Sequence, residues 1–170
     1  NKPQLSVITN IGMDHMSFLG DTIEAIAAEK GGIIKTGVTT LIGERDTESE
    51  PVFKRKAAEK ASPLFFAEDM YKYMGSIPEN PSAVCEEDGA RMRYTLRSVV
   101  EEKDVEISLD LMGNYQRRNI VTALSAIDLL NKYTPISVCK RAVAEGLASA
   151  AVPTGLKGRW LVLGPSPRPI

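Results

Sequence analysis

Apolar and polar positions recur along this chain with two different periods, and the pattern changes near residue 68. Leu5, Val7 and Ile8 form a short apolar run that meets Asn10 and Gly12. This predicts a strand that delivers Asp14 and His15 at its carboxyl end, the edge where open α/β sheets take ligands. Asp21 and Glu24 have the spacing of an acidic N-cap and N3 pair, and Ile23, Ile26 and Ala27 supply an apolar face. A helix is predicted there that stops at Gly31 and Gly32 with Lys30 in its last turn. Residues 39–43 (TTLIG) predict a second strand, 48–60 a helix with Val52, Phe53 and Ala57 on its apolar side, and 64–67 (LFFA) a third strand. Strand, helix, strand, helix, strand is the order of a parallel sheet with right-handed connections.

From residue 71 to 91 no period is evident, and Gly75, Pro78, Pro81 and Gly89 predict a loop with at most a short strand. Clear alternation follows. Met92, Tyr94 and Leu96 oppose Arg91, Arg93, Thr95 and Arg97, and Val105, Ile107, Leu109 and Leu111 oppose Glu106, Ser108 and Asp110. Two half-buried antiparallel strands joined around residues 101–104 account for it. Beyond Gly113, Asn114 is suited to an N-cap, and Ile120, Ala123, Leu124, Ile127 and Leu130 form a helical stripe. A second helix is predicted over 137–149 with Val138, Ala142, Val143 and Leu147 inward. Pro153, Gly155 and Gly158 mark a linker over 153–158, and 159–163 (RWLVL) read as a last strand. The fold class is therefore α/β, a parallel sheet with a small antiparallel sheet inserted at about 68–112.

Composition narrows the function classes. A length of 170 residues, 43% hydrophobic and 25% charged, allows one globular core. The net charge of -1 offers no excess of cations for nucleic acid. Cys85 and Cys139 are far apart and form no CxxC pair, which points to a reducing, cytoplasmic setting. No apolar run approaches the roughly 20 residues that span a bilayer, so no membrane partner is expected.

The candidate chemistry is concentrated at residues 8–35, which hold the single histidine. Asp14 and His15 are competent as a metal-binding or proton-transfer pair, and a structural, hydrogen-bonded histidine at a strand end has the same sequence. Lys30 suits the negative end of its helix dipole, and its position roughly 14 Å along the axis from the helix start carries it away from His15. Gln116 and Asn119 share a helix face at i, i+3, and their amides can read the edge of a base or simply remain solvated. Arg159, between linker and strand, can fork onto phosphate oxygens or lie on the surface. No GxxxxGK[ST] phosphate loop is present.

The motifs carry more than their spacing. ITNIGMDHMSFLGDTIEAIAAEKGGIIKTGV resembles the ITSIGLDHxxxLGxTxxxIAxEKAGIIKPGV segment of folylpolyglutamate and dihydrofolate synthases, within the Mur ligase superfamily. LMGNYQRRNIVTALSAIDLL is similar to that family's LxGxHQxxNAxxALAAxExL, and GLKGRWLVL to its WPGRFEVL. Tyr115 stands where the family usually has His, and Gly31 where it has Ala. The resemblance implies a ligase that uses Mg²⁺ and ATP to join L-glutamate to a pteroate or folate through an acyl phosphate, in a monomeric, cytoplasmic parent. It implies that His15 is a magnesium ligand, that a carbamylated Lys30 serves the metal site catalytically, that Gln116 and Asn119 lie at the adenine, and that Arg159 reaches the ATP phosphates. It further implies that residues 1–152 form the C-terminal half of the central ATP-binding domain, with 159–170 opening a C-terminal domain. The family's phosphate loop would precede Asn1 and its DxGHN-like segment would follow Ile170, so the chain is expected to be the middle of a longer enzyme and inactive alone. A non-catalytic binding or scaffold module, and a Mur-type amide ligase for another substrate, are the alternative readings.

Overall fold

A computed structural model describes residues 3–11, 22–79 and 91–151. Strands β1 (Ser6–Ile8), β2 (Thr40–Ile42) and β3 (Leu64–Phe66) pair in parallel in the order β1-β2-β3. Ile8, Ile42 and Phe66 stand in one row across the sheet, and Val7, Leu41 and Phe65 in the next. Successive side chains point to opposite faces, so these rows feed two different cores. Ile8, Ile42 and Phe66 pack with Ala27 of helix α1 (Ile23–Lys30) and with Val52 and Phe53 of α2 (Glu50–Glu59). Leu41 packs instead with Ile120, Val121 and Leu124 of α3 (Gln116–Tyr133).

The second sheet is antiparallel, with β4 (Tyr71–Pro78), β5 (Met92–Ser98) and β6 (Lys103–Leu109) in that order. Tyr94 and Leu96 of β5 and Ile107 and Leu109 of β6 join the same core as α3. Helix α3 thus lies between the two sheets and is apolar toward both. Helix α4 (Lys140–Ala148) packs on β6 through Val143 and Leu147.

The α/β class with an antiparallel insertion matches expectation, and several local details do not. Residues 71–78 form a full strand rather than a loop. A register shift between Tyr73 and Gly75 breaks its alternation, and Tyr73, Met74 and Ile77 are exposed, as an edge strand permits. The cap of α1 is Thr22, whose hydroxyl accepts from Ala25 N at 3.2 Å, so Asp21 does not hold that position. Asn114 is not the cap of α3. A turn in which Gln116 N donates to the Gly113 carbonyl makes Tyr115 the capping residue. The buried stripe of α3 runs through Val121, Ser125 and Leu129 as well as Ile120 and Leu124, because the helix must serve two sheets. Ala142 is exposed. His15 and the strand predicted at 159–163 lie outside the described residues, as does the linker.

Candidate active site

The carboxyl ends of the parallel strands define one edge of the molecule. Thr9 and Asn10 leave β1 there, Gly43 to Arg45 leave β2, and Glu68 and Asp69 follow β3. Gly43 allows the close approach. A Cβ at this position would collide with the Thr9 carbonyl oxygen and come within 2.6 Å of Thr122 Oγ1 on α3. The missing side chain therefore lets β1, β2 and α3 converge.

Lys30 belongs to this edge. Its Nζ donates to the Asn10 carbonyl oxygen at 2.9 Å, and the residue is half-buried. The sequence had placed Lys30 away from the strand end, from the axial rise of the helix. Two facts of geometry reverse that reading: Cα–Cβ bonds tilt toward a helix's N-terminus, and the four-carbon stem of lysine extends the reach. The end of α1 is anchored near the start of β1, where Ser6 Oγ donates to the Ile33 carbonyl at 3.0 Å. From the last turn of α1, the Lys30 side chain reaches the Asn10 carbonyl just beyond the carboxyl end of β1.

Gln116 and Asn119 are brought together at the start of α3. Asn119 Nδ2 donates to Gln116 Oε1 at 3.0 Å, with Gln116 buried and Asn119 exposed. The bond fixes the orientation of both amides and uses one donor and one acceptor, leaving the others free to meet a ligand. No hydrogen bond or ion pair joins Lys30 to this pair among the described residues. His15 and Arg159 lie outside them, and no group of three His, Cys, Asp or Glu converges as a metal cluster among the described residues.

Between the strand ends and α3 lies a cleft of about 650 Å³. Its wall carries charged residues that sequence reasoning missed. Arg45 sits 4.2 Å from the centre of the Phe66 ring and pairs with Asp69 and, at 3.4 Å, with Glu50. The Glu50 carboxyl is held below its ordinary range by its hydrogen bond to Lys54, with Arg45 adding to the effect. Arg118 Nη1 donates to Glu44 Oε2 at 2.9 Å. Lys72 and Arg117 also line the cleft and make no ion pair among the described residues, which leaves positive charge for an anionic ligand. Tyr71 donates to Asp128 Oδ2 at 2.6 Å, and burial first, then that bond, pushes its phenol well above the usual value. The rule that ligands sit outside the carboxyl ends of parallel strands would have singled out the positions after β2 and β3.

Residues 1–127 match the Mur ligase middle domain. The chain belongs to the Mur ligase middle-domain family. Its curated relatives include folate enzymes. It is 34% identical over 157 residues to the dihydrofolate synthase/folylpolyglutamate synthase of Bacillus subtilis, covering 92% of this chain and 34% of that protein. The apo form of the L. casei folylpolyglutamate synthase superposes with a TM-score of 0.73 at 26% identity, over 87% of this chain and 34% of that one. A folylpolyglutamate synthase complex with AMPPCP and folate gives the same TM-score, identity and coverage. The chain therefore spans about a third of the length of these Mur ligase relatives.

Proposed function

We propose that this chain is the central part of an ATP-dependent ligase that forms an amide bond between L-glutamate and a pteroate or folate. The observation that carries the proposal is the Lys30 amine, brought from the far end of α1 to the carboxyl end of β1 and held 2.9 Å from the Asn10 carbonyl. The relatives' names, and a neighbour bound to AMPPCP and folate, support the choice of nucleotide and substrate.

Residues 1–152 then form half of a nucleotide-binding domain, 153–158 a linker, and 159–170 the start of the next domain. The chain alone lacks a phosphate loop and is expected to be inactive. Gln116 and Asn119 read the adenine edge with the amide groups their mutual bond leaves over. Arg159 steadies the phosphates, and Lys72 and Arg117, which make no ion pair among the described residues, add positive potential in the cleft. The substrate carboxylate attacks the γ-phosphorus, ADP leaves, and the glutamate amine then displaces phosphate from the acyl phosphate. Charge neutralisation at the transferring phosphoryl group is the main contribution asked of the protein.

The donor set fits magnesium on one condition. As an ammonium, Lys30 repels a cation; as a carbamate, it presents hard oxygen donors of the kind Mg²⁺ takes. His15 and the carbamylated Lys30 would hold the ion, which neutralises phosphate charge when bound. Lys30→Arg keeps the positive charge and cannot supply those oxygens. In the whole protein that carries this chain, Lys30→Ala and Lys30→Arg should each lower glutamate incorporation by about 10²–10³, the loss typical when one stabilising group of a transition state is removed. Added formate or acetate should partly restore Lys30→Ala. Full activity of Lys30→Arg would overturn the reading.

A further inference from the structure

A second, smaller cavity of about 230 Å³ lies between the antiparallel sheet and the turn before α3. Its lining includes Tyr73, Met92, Tyr94, Met112, Asn114 and Arg117. It is separate from the amide pair, because 3.6 residues per turn put Arg117 about 100° round the helix from Gln116 and further still from Asn119.

Tyr94 distinguishes this cavity from an ordinary surface dimple. The residue is 3% exposed, yet its hydroxyl makes no hydrogen bond among the described residues, whereas the neighbouring Tyr73 hydroxyl is bonded to Ser76 Oγ at 2.9 Å. Among the described residues no fully enclosed side-chain nitrogen or oxygen lacks a partner, so the Tyr94 hydroxyl reaches solvent, and Tyr94 lines the cavity. A hydroxyl with no partner in the protein has its donor free for an acceptor from outside.

The remaining walls say which acceptor. The Tyr73 and Tyr94 rings lie 6.4 Å apart at 56°, an arrangement that leaves an edge and a face for a third ring. Gly113, which lines the cavity, has a φ of +116°, and a Cβ there would meet the Tyr115 ring outside the lining at 2.5 Å. The thioethers of Met92 and Met112 suit aromatic contacts. The Arg117 guanidinium, also in the lining, is unpaired among the described residues and has the fork geometry that matches a carboxylate. The volume is below the roughly 300–1,000 Å³ of pockets for drug-sized ligands, so one ring with one small substituent fills it.

We propose that this cavity is a binding site for a small aryl carboxylate, whose ring packs among Tyr73, Tyr94 and the two methionines and whose carboxylate accepts from the Tyr94 hydroxyl and the Arg117 guanidinium. The cavity shares Arg117 with the cleft assigned to the nucleotide above, while its aromatic and thioether lining belongs to it alone apart from Tyr73.

Benzoate is the probe, titrated into the full chain and followed by NMR shifts and tyrosine difference absorption. Saturable binding is expected, weakened about tenfold or more in Arg117→Ala and several-fold in Tyr94→Phe, as hydrogen bonds to a charged group imply. Benzamide and cyclohexanecarboxylate should bind more weakly than benzoate. Arg118→Ala removes the same charge from a neighbouring position and should leave benzoate affinity unchanged. Absence of saturable binding, equal affinity in wild type, Arg117→Ala and Tyr94→Phe, or an equal loss in Arg118→Ala would each overturn the proposal. Matching thermal melts of the three variants and the wild type separate a binding defect from a folding one.

Discussion

Gly43→Ala tests how the edge of the parallel sheet is assembled. Gly43 follows β2, and its N–H donates to the Ile8 carbonyl at 2.8 Å, tying the ends of β1 and β2 together. The added methyl meets two obstacles, the Thr9 carbonyl oxygen and Thr122, whose Oγ1 and Cγ2 would lie at 2.6 and 3.1 Å. Both are nearer than ordinary van der Waals contact, and the first is backbone, which cannot rotate away. Overpacking a well-filled site costs about 1–3 kcal/mol, and the backbone obstacle puts this case at the upper end. With a urea slope of about 1–3 kcal/mol per molar, the unfolding midpoint should fall by about 1 M. Thr122→Ala removes the side-chain obstacle and leaves the carbonyl, so the double variant should recover part of the loss, with a coupling of about 0.5–3 kcal/mol. Urea titration followed by circular dichroism measures all four proteins. A midpoint unchanged in Gly43→Ala, or strict additivity of the two substitutions, would refute this account of the strand ends.

Phe53→Ala empties the centre of the core between α2 and the parallel sheet, where Phe53 is fully buried, and should cost about 3–5 kcal/mol in the same urea assay. Tyr71→Phe should cost about 1 kcal/mol near neutral pH through the lost bond to Asp128, and it should also flatten the alkaline limb of stability. The folded-state phenol is raised, so its contribution is fully present below the ordinary tyrosine value of about 10 and is lost as pH rises above it, since the unfolded chain gives up the proton first. Urea midpoints in steps from about pH 9 to about pH 11 should fall more steeply for wild type than for the variant. Asp110 accepts from Ala150 N and Ala151 N, both at 3.0 Å, and so pins the segment after α4 to the end of β6. Asp110→Ala should cost about 1 kcal/mol, as loss of a helix-capping carboxylate does, and should speed hydrogen exchange at those two amides before any other region responds.

What could be read from the sequence follows from how locally each feature is encoded. Leu5 to Ile8, Leu41 and Ile42, and Leu64 to Phe66 are short apolar runs bounded by turn residues, and each proved a strand of the parallel sheet. The i, i+3 spacing of Gln116 and Asn119 likewise put their amides within bonding distance. β4 escaped notice because an edge strand needs no buried face and its bulge after Tyr73 breaks the period. Thr22 and Tyr115 show that caps depend on turn geometry a residue or two away. The ion pairs of Arg45 with Asp69 and of Arg118 with Glu44 join residues 24 and 74 positions apart, a separation no local pattern reveals. Lys30 was misjudged for a different reason: distances along a helix axis were counted, and the length and tilt of the side chain were not.

Because Lys30, in the last turn of α1, reaches the Asn10 carbonyl, the helix acts as a ruler. Adding or removing one residue within its eight would shift Lys30 by about 1.5 Å and swing it about 100° around the axis, carrying the amine off the strand end altogether. Substitutions on the outer face of α1, at Glu24 or Glu29, leave that distance alone. The constraint on this segment is thus metric rather than compositional. Its surface can drift while its residue count stays fixed.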